Sequence, residues 1–118
     1  MNEKKLQRKW DREEVVILVV EYFRTKHLST EEINKTHFRI SDFLRLREEI
    51  LTGATVSDVF RNYAGIHMQS GRIQSLDPET HYSGMKGTKL QKEIVQEYLA
   101  NPKKMIAEAE QIYKRFER

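Results

Sequence analysis

The chain has 118 residues, no cysteine, 21 lysines and arginines against 18 aspartates and glutamates, and a formal net charge of +3. A length like that holds one core, since domains usually run about 100 to 200 residues, and the lack of cysteine excludes a disulfide framework, a zinc ribbon and a cysteine nucleophile. A charge this close to balance admits a nucleic-acid partner without requiring one, so the placement of the charges carries the information.

With 2 prolines and 5 glycines between stretches rich in Glu, Lys, Arg, Gln and Leu, the composition predicts an all-α protein. The expected architecture is a compact single-domain bundle of five to six helices, with residues 1–9 as a basic N-terminal arm and 10–118 as one helical domain. The arm carries Lys4, Lys5, Arg8 and Lys9 and continues into Asp11, Arg12, Glu13 and Glu14, where a signal peptide would place its apolar segment. A cytoplasmic location is therefore expected. The apolar run at 15–20 is far shorter than the ~20 residues that cross a bilayer, so no membrane partner is expected either.

The first helix starts at Asp11, with Glu14 three residues on completing a capping-box pattern. Val15, Val16, Ile17, Leu18, Val19 and Val20 make it apolar nearly all round, which places it in the middle of the domain. Its β-branched run would also suit a buried strand, but the capped start and its extension to Lys26 favour helix. Ser29 with Glu32 repeats the capping pattern over a short helical turn, and Ser41 with Asp42 opens a separate helix that Gly53 stops. A further helix covers much of 58–76, with Gly65 as a dividing point. Residues 77–87 contain Pro78, Gly84 and Gly87 and no helical period, so they form a long loop, and loops of that length often have a job. Thr88 caps the next helix, and Asn101 with Pro102 ends it and starts the last. That last helix shows Met105, Ile106, Ala109, Ile112, Tyr113 and Phe116 at three- and four-residue spacing, a stripe that must pack on something.

Catalysis needs converging groups, and the sequence announces none. His27, His37, His67 and His81 fall in separate segments, and no phosphate-binding loop, nucleophile elbow or dinucleotide fingerprint is present. The expectation is a non-catalytic chain with no metal site and no cofactor. Charge is more informative: residues 1–30 hold 7 basic and 5 acidic side chains, 31–58 hold 4 and 6, 59–92 hold 5 and 2, and 93–118 hold 5 and 5. In the 59–92 segment, Arg61, Arg72, Lys86, Lys89 and Lys92 are interleaved with Asn62, His67, Gln69, Ser70 and Gln74, types that contact phosphates and base edges. An ordinary solvated face accounts for such an excess equally well on charge alone.

Two features sharpen the nucleic-acid reading. A helix over 65–76 that turns Ile66, Ile73 and Leu76 inward leaves His67, Gln69, Ser70, Arg72 and Gln74 outward, as a recognition helix requires. The glycine loop ahead of Thr88 leads into a helix N-terminus whose amides can hold a phosphate, with Lys86 and Lys89 beside it. Trp10 is expected to pack at the start of the first helix, with stacking on a partner as the alternative.

The order of these residues carries a resemblance. Trp10, Asp11, Arg12, Glu13, Glu14 and Val15 precede an apolar helix ending in Tyr22 and Phe23. Phe60, Arg61, Asn62, Gly65, Ile66 and Met68 come next, then Leu76, Asp77 and Pro78, and then Gly84, Gly87, Lys89 and Leu90. This pattern resembles the N-terminal helical region of bacterial HNH-family restriction endonucleases over roughly residues 10 to 100. The resemblance implies a region that helps engage plain or modified duplex DNA, with Arg61 and Asn62 as carried-over contacts. It implies no cutting, because the His-Asn-His nuclease domain of that family has no counterpart in these residues. The chain also departs from the family at Gln69 and Ser70, where the family tends to Lys-Leu, and at Arg72 and Ile73, where it tends to Asn-Phe. The expected nucleic-acid-binding set is Arg61, Asn62, His67, Gln69, Ser70, Arg72, Lys86 and Lys89. The alternative is a small phage or mobile-element protein that inhibits a nuclease or defence complex by binding protein, through the same surface or the stripe of the last helix.

Overall fold

The computed structural model describes residues 7–117, which form five helices and no strand. They are α1 (Arg12–Thr25), α2 (Thr30–Thr52), α3 (Tyr63–Gln74), α4 (Lys89–Ala100) and α5 (Pro102–Arg115). None is long and apolar enough to cross a membrane. The six residues at 15–20 are each at most 1% exposed, and α1 touches all four other helices. A helix that is apolar on every side can be accommodated only by such surroundings, and each of these side chains contributes about 1.5–3 kcal/mol relative to exposure. The Asp11 and Glu14 capping box is formed, which sets this β-branched run as a helix.

Two expected boundaries are corrected. Ser29 does cap a helix, accepting from the Glu32 amide, but α2 continues unbroken for 23 residues to Gly53, whose φ of 72° closes it in the left-handed region. Ser41 does not start a helix. It lies buried within α2 and donates its hydroxyl to the Arg61 carbonyl at 2.7 Å. Thr36, His37, Ile40, Ser41, Leu44 and Arg47 make one buried stripe, and its polar members disguise a continuous helical period. The second correction concerns 58–76, where α3 begins only at Tyr63. Asn62 is its N-cap, accepting from the Gly65 amide at 2.9 Å, so Gly65 belongs to the first turn and divides nothing. Ahead of the cap, Arg61 adopts a φ of 46°, and Arg45 donates to the Ser57 and Phe60 carbonyls at 2.9 and 2.6 Å. Those bonds hold the turn in place of a helix.

The stripe of α5 is core: Met105, Ala109, Ile112 and Phe116 are all buried. It is therefore not a surface for a partner protein. The long connection 75–88 is present and is anchored by Asp77, 2% exposed, which accepts from Tyr22 and Lys26 at 2.8 Å each and from the Glu79 amide at 2.9 Å. Burial alone would push this carboxyl up, but the bonds from Lys26, the Glu79 amide and Tyr22 outweigh it and hold Asp77 below the usual carboxylate range. One close approach seats the loop on α3, at Gly71, and two more, at Gly84 and Gly87, pack the loop on itself. Cβ atoms added at Gly71, Gly84 and Gly87 would lie 2.9 Å from Met85 Sδ, 2.8 Å from the Tyr82 hydroxyl and 2.4 Å from Leu76 Cδ1.

Candidate nucleic-acid interface

Arg61 is 3% exposed and belongs to the interior. Its guanidinium donates to both oxygens of Glu14, at 2.9 and 3.2 Å, and to the Arg8 carbonyl at 3.1 Å, while its plane covers Trp10 and Phe60 at 4.5 and 4.4 Å. Glu14, wholly buried, also accepts from Arg8 at 2.8 and 3.0 Å and from the Asp11 amide at 3.0 Å. Arg8 reaches Glu48 as well, at 2.6 Å. Arg61 and Arg8 are thus held by the fold and are not free to meet phosphate. Asn62 is half-buried and occupied as the cap of α3. These positions are removed from the expected contact set. Lys4 and Lys5 lie outside the described residues.

The remaining positions lie on α3, the 75–88 connection and the start of α4, with Gln69 and Lys89 on one flank of α3 and His67 and Ser70 on the other. His67 is exposed, whereas Gln69, Ser70 and Arg72 are half-buried. Gln69 accepts from Gln91 at 2.7 Å, which ties α3 to α4, and Arg72 donates to the Lys86 carbonyl at 2.6 Å, which ties α3 to the 75–88 connection. The outer face of α3 is partly covered and presents fewer polar side chains than the expected recognition helix. Lys86, Lys89 and Lys92 are exposed and form no salt bridge among the described residues. The acids of this segment, Asp77 and Glu79, are both paired with Lys26.

At the N-terminus of α4, Thr88 and Gln91 form a capping box at 3.1 and 3.0 Å. This satisfies two of the first-turn donors and leaves the Lys89 and Leu90 amides facing outward from the helix start. Between that terminus and the chain entering α1 lies a cleft of about 450 Å³, lined by Lys9, Trp10, Gln69, Thr88 and Lys89. The two basic regions of the sequence meet here through Lys9 and Lys89. Sequence reasoning missed this meeting because the residues are 80 positions apart and no local pattern links them.

A second opening, of about 520 Å³, lies on the other flank of α3 under the 75–88 connection. His37 and His67 both line it, with their Nδ1 atoms 3.1 Å apart. Burial, reinforced by the neighbouring His67, draws His37 down to about 4. Nothing in the sequence signalled this pair, which lies on two helices. Among the described residues no three His, Asp or Glu side chains converge as a metal-ligand set.

Fold and site together define an all-α, five-helix domain whose exposed Lys86, Lys89 and Lys92 form no salt bridge among the described residues. No protein-family model, curated protein or solved structure matches this chain.

Proposed function

We propose that this chain is a non-catalytic DNA-binding module that lays the face of α3, the 75–88 connection and the start of α4 along plain or modified duplex DNA. One observation carries the reading: the two acids of 59–92, Asp77 and Glu79, are engaged by Lys26, while the exposed Lys86, Lys89 and Lys92 form no salt bridge among the described residues. Phosphates supply that counter-charge, and the counterions they release drive association. Lys9, across the cleft from Lys89, extends the basic track. Gln69 lines that cleft from α3, beside Trp10, while His67 and Ser70 lie on the other flank of the helix. The resemblance to the DNA-engaging region of HNH restriction enzymes supports the same reading and suggests a place in restriction or defence.

Fluorescence-anisotropy titration of short duplexes at several salt concentrations tests it. Affinity is expected to fall log-linearly with salt, and an absence of binding at low salt overturns the proposal.

A second reading, a protein that inhibits a nuclease or defence complex, is favoured by one feature. Phe38 is 54% exposed and stacks on Tyr63 with ring centroids 4.1 Å apart, a small apolar platform at the α2–α3 edge. Loss of binding to a partner nuclease on Phe38→Ser, with DNA binding absent, would favour this reading.

A further inference from the structure

We infer that the 520 Å³ cavity between α3, the end of α1 and the 75–88 connection is a binding site for an uncharged planar heterocycle, namely a nucleobase. The inference rests on the nucleic-acid reading for how the base arrives, either from a duplex or as a free nucleoside.

The volume falls within the roughly 300–1,000 Å³ of small-molecule sites. The walls are flat or polarizable: Tyr22 and Tyr82 supply aromatic surface, and Met68 and Met85 supply thioethers that favour ring edges. Two of these side chains are seated by glycines: Met85 against Gly71 holds the loop that closes the cavity close to α3, and Tyr82 against Gly84 packs within the loop. A Cβ at either glycine would press on the wall residue.

The polar groups at the cavity recognise a neutral ligand. Lys26 at its edge is paired with Asp77 and with Glu79, which also lines the cavity, so its charge is not free for an anionic ligand. The His37 and His67 imidazoles share a proton between their Nδ1 atoms. When His37 donates, His67 carries its own proton on Nε2 and presents a donor. When His67 donates, the same Nε2 presents an acceptor. A pair that can switch in this way complements the mixed donor and acceptor edge of a base. Because burial keeps His37 neutral, it adds no charge that would favour an anion. Ser70 and Gln74 add a hydroxyl and an amide from α3. Enzymes and readers that handle single bases use this combination of stacking walls and edge-directed hydrogen bonds.

The test is methyl NMR on the full chain with carbon-13 methionine methyls. Met68 and Met85 line the cavity, and Met105, 2% exposed in the core, is an internal control. Adenosine and cytidine are titrated separately, then a duplex with one mismatched base, with indole as the apolar comparison. The expected result is saturable movement of the Met68 and Met85 methyls with at least one nucleoside in the millimolar range, while Met105 stays still. Gln74→Phe, which fills the cavity, should weaken that response at least tenfold, and retention of the Met105 shift shows that the variant is folded. The same movement with the mismatched duplex identifies DNA as the source of the base. Movement with nucleoside but no anisotropy response to duplex upholds the cavity and overturns the DNA reading. Duplex binding by anisotropy with both methyls unmoved by every nucleoside and duplex overturns the cavity inference and leaves the DNA reading standing. Equal movement with indole overturns the recognition of a base.

Discussion

Two groups of cations in this molecule have opposite fates. Around Glu14, Arg8 and Arg61 are drawn into a closed cluster with Trp10 and Phe60, and Arg61 is almost wholly removed from solvent. On the α3–α4 side, Lys86, Lys89 and Lys92 are exposed and form no salt bridge among the described residues. Local sequence does not separate the two, since Arg61 and Lys89 both look like contacts there. What separates them is whether the fold supplies a carboxylate: a buried guanidinium needs one, whereas an exposed ammonium keeps its water and its availability for a ligand.

The contrast is broken most sharply at its buried side. Glu14→Gln keeps the side-chain length and the capping box but removes the charge that Arg8 and Arg61 share. A loss of about 3–5 kcal/mol is expected in urea unfolding, since it leaves a buried guanidinium without its partner. Little change would mean that Arg61 is compensated elsewhere. On the exposed side, the Lys86→Ala and Lys89→Ala pair should weaken duplex binding about equally across sequences and reduce the salt slope by about 2, with stability within about 0.5 kcal/mol. Arg61→Ala should do the reverse, lowering stability while the salt slope of the folded fraction is unchanged.

His37 supplies a subtler test between the two regions. Its ordinary value of 6.5 is lowered to about 4 in the fold. The unfolded chain therefore takes up a proton over that interval that the folded chain does not. Stability is whole above pH 6.5 and falls as pH is lowered toward 4. Tm measured across this range should decline, and His37→Gln should flatten the decline; an unchanged slope would assign it to other groups. The smallest effect is expected at Ser29→Ala, which removes the cap of α2 far from either cluster and should cost about 1 kcal/mol with no change in DNA binding.

Much of the fold was legible in the chain because it depends on neighbours in sequence. The caps at Asp11, Ser29, Thr88 and Asn101, the stop at Gly53 and the central position of α1 result from side chains that act within one helical turn. The sequence pattern splits the helix 30–52 in two because its buried stripe contains Thr36, His37, Ser41 and Arg47, polar residues that are interior only through contacts with distant elements. Ser41 meets Arg61, His37 meets His67, and Arg47 meets Asp11 and Glu13. The candidate site divides in the same way. Lys86 and Lys89 stood out as exposed cations and are exposed. Arg61 stood out equally and is buried, and the cleft that brings Lys9 to Lys89 had no local signature.

The sequence by itself determined the all-α class, the central helix and most helix ends, because periodicity and capping are short-range and each is decided within about four residues. The tertiary structure alone decided which charges are neutralised, which histidines meet and where the cavities open. Those outcomes depend on Coulomb and packing interactions between side chains tens of residues apart, whose strength is set by burial that no local pattern encodes.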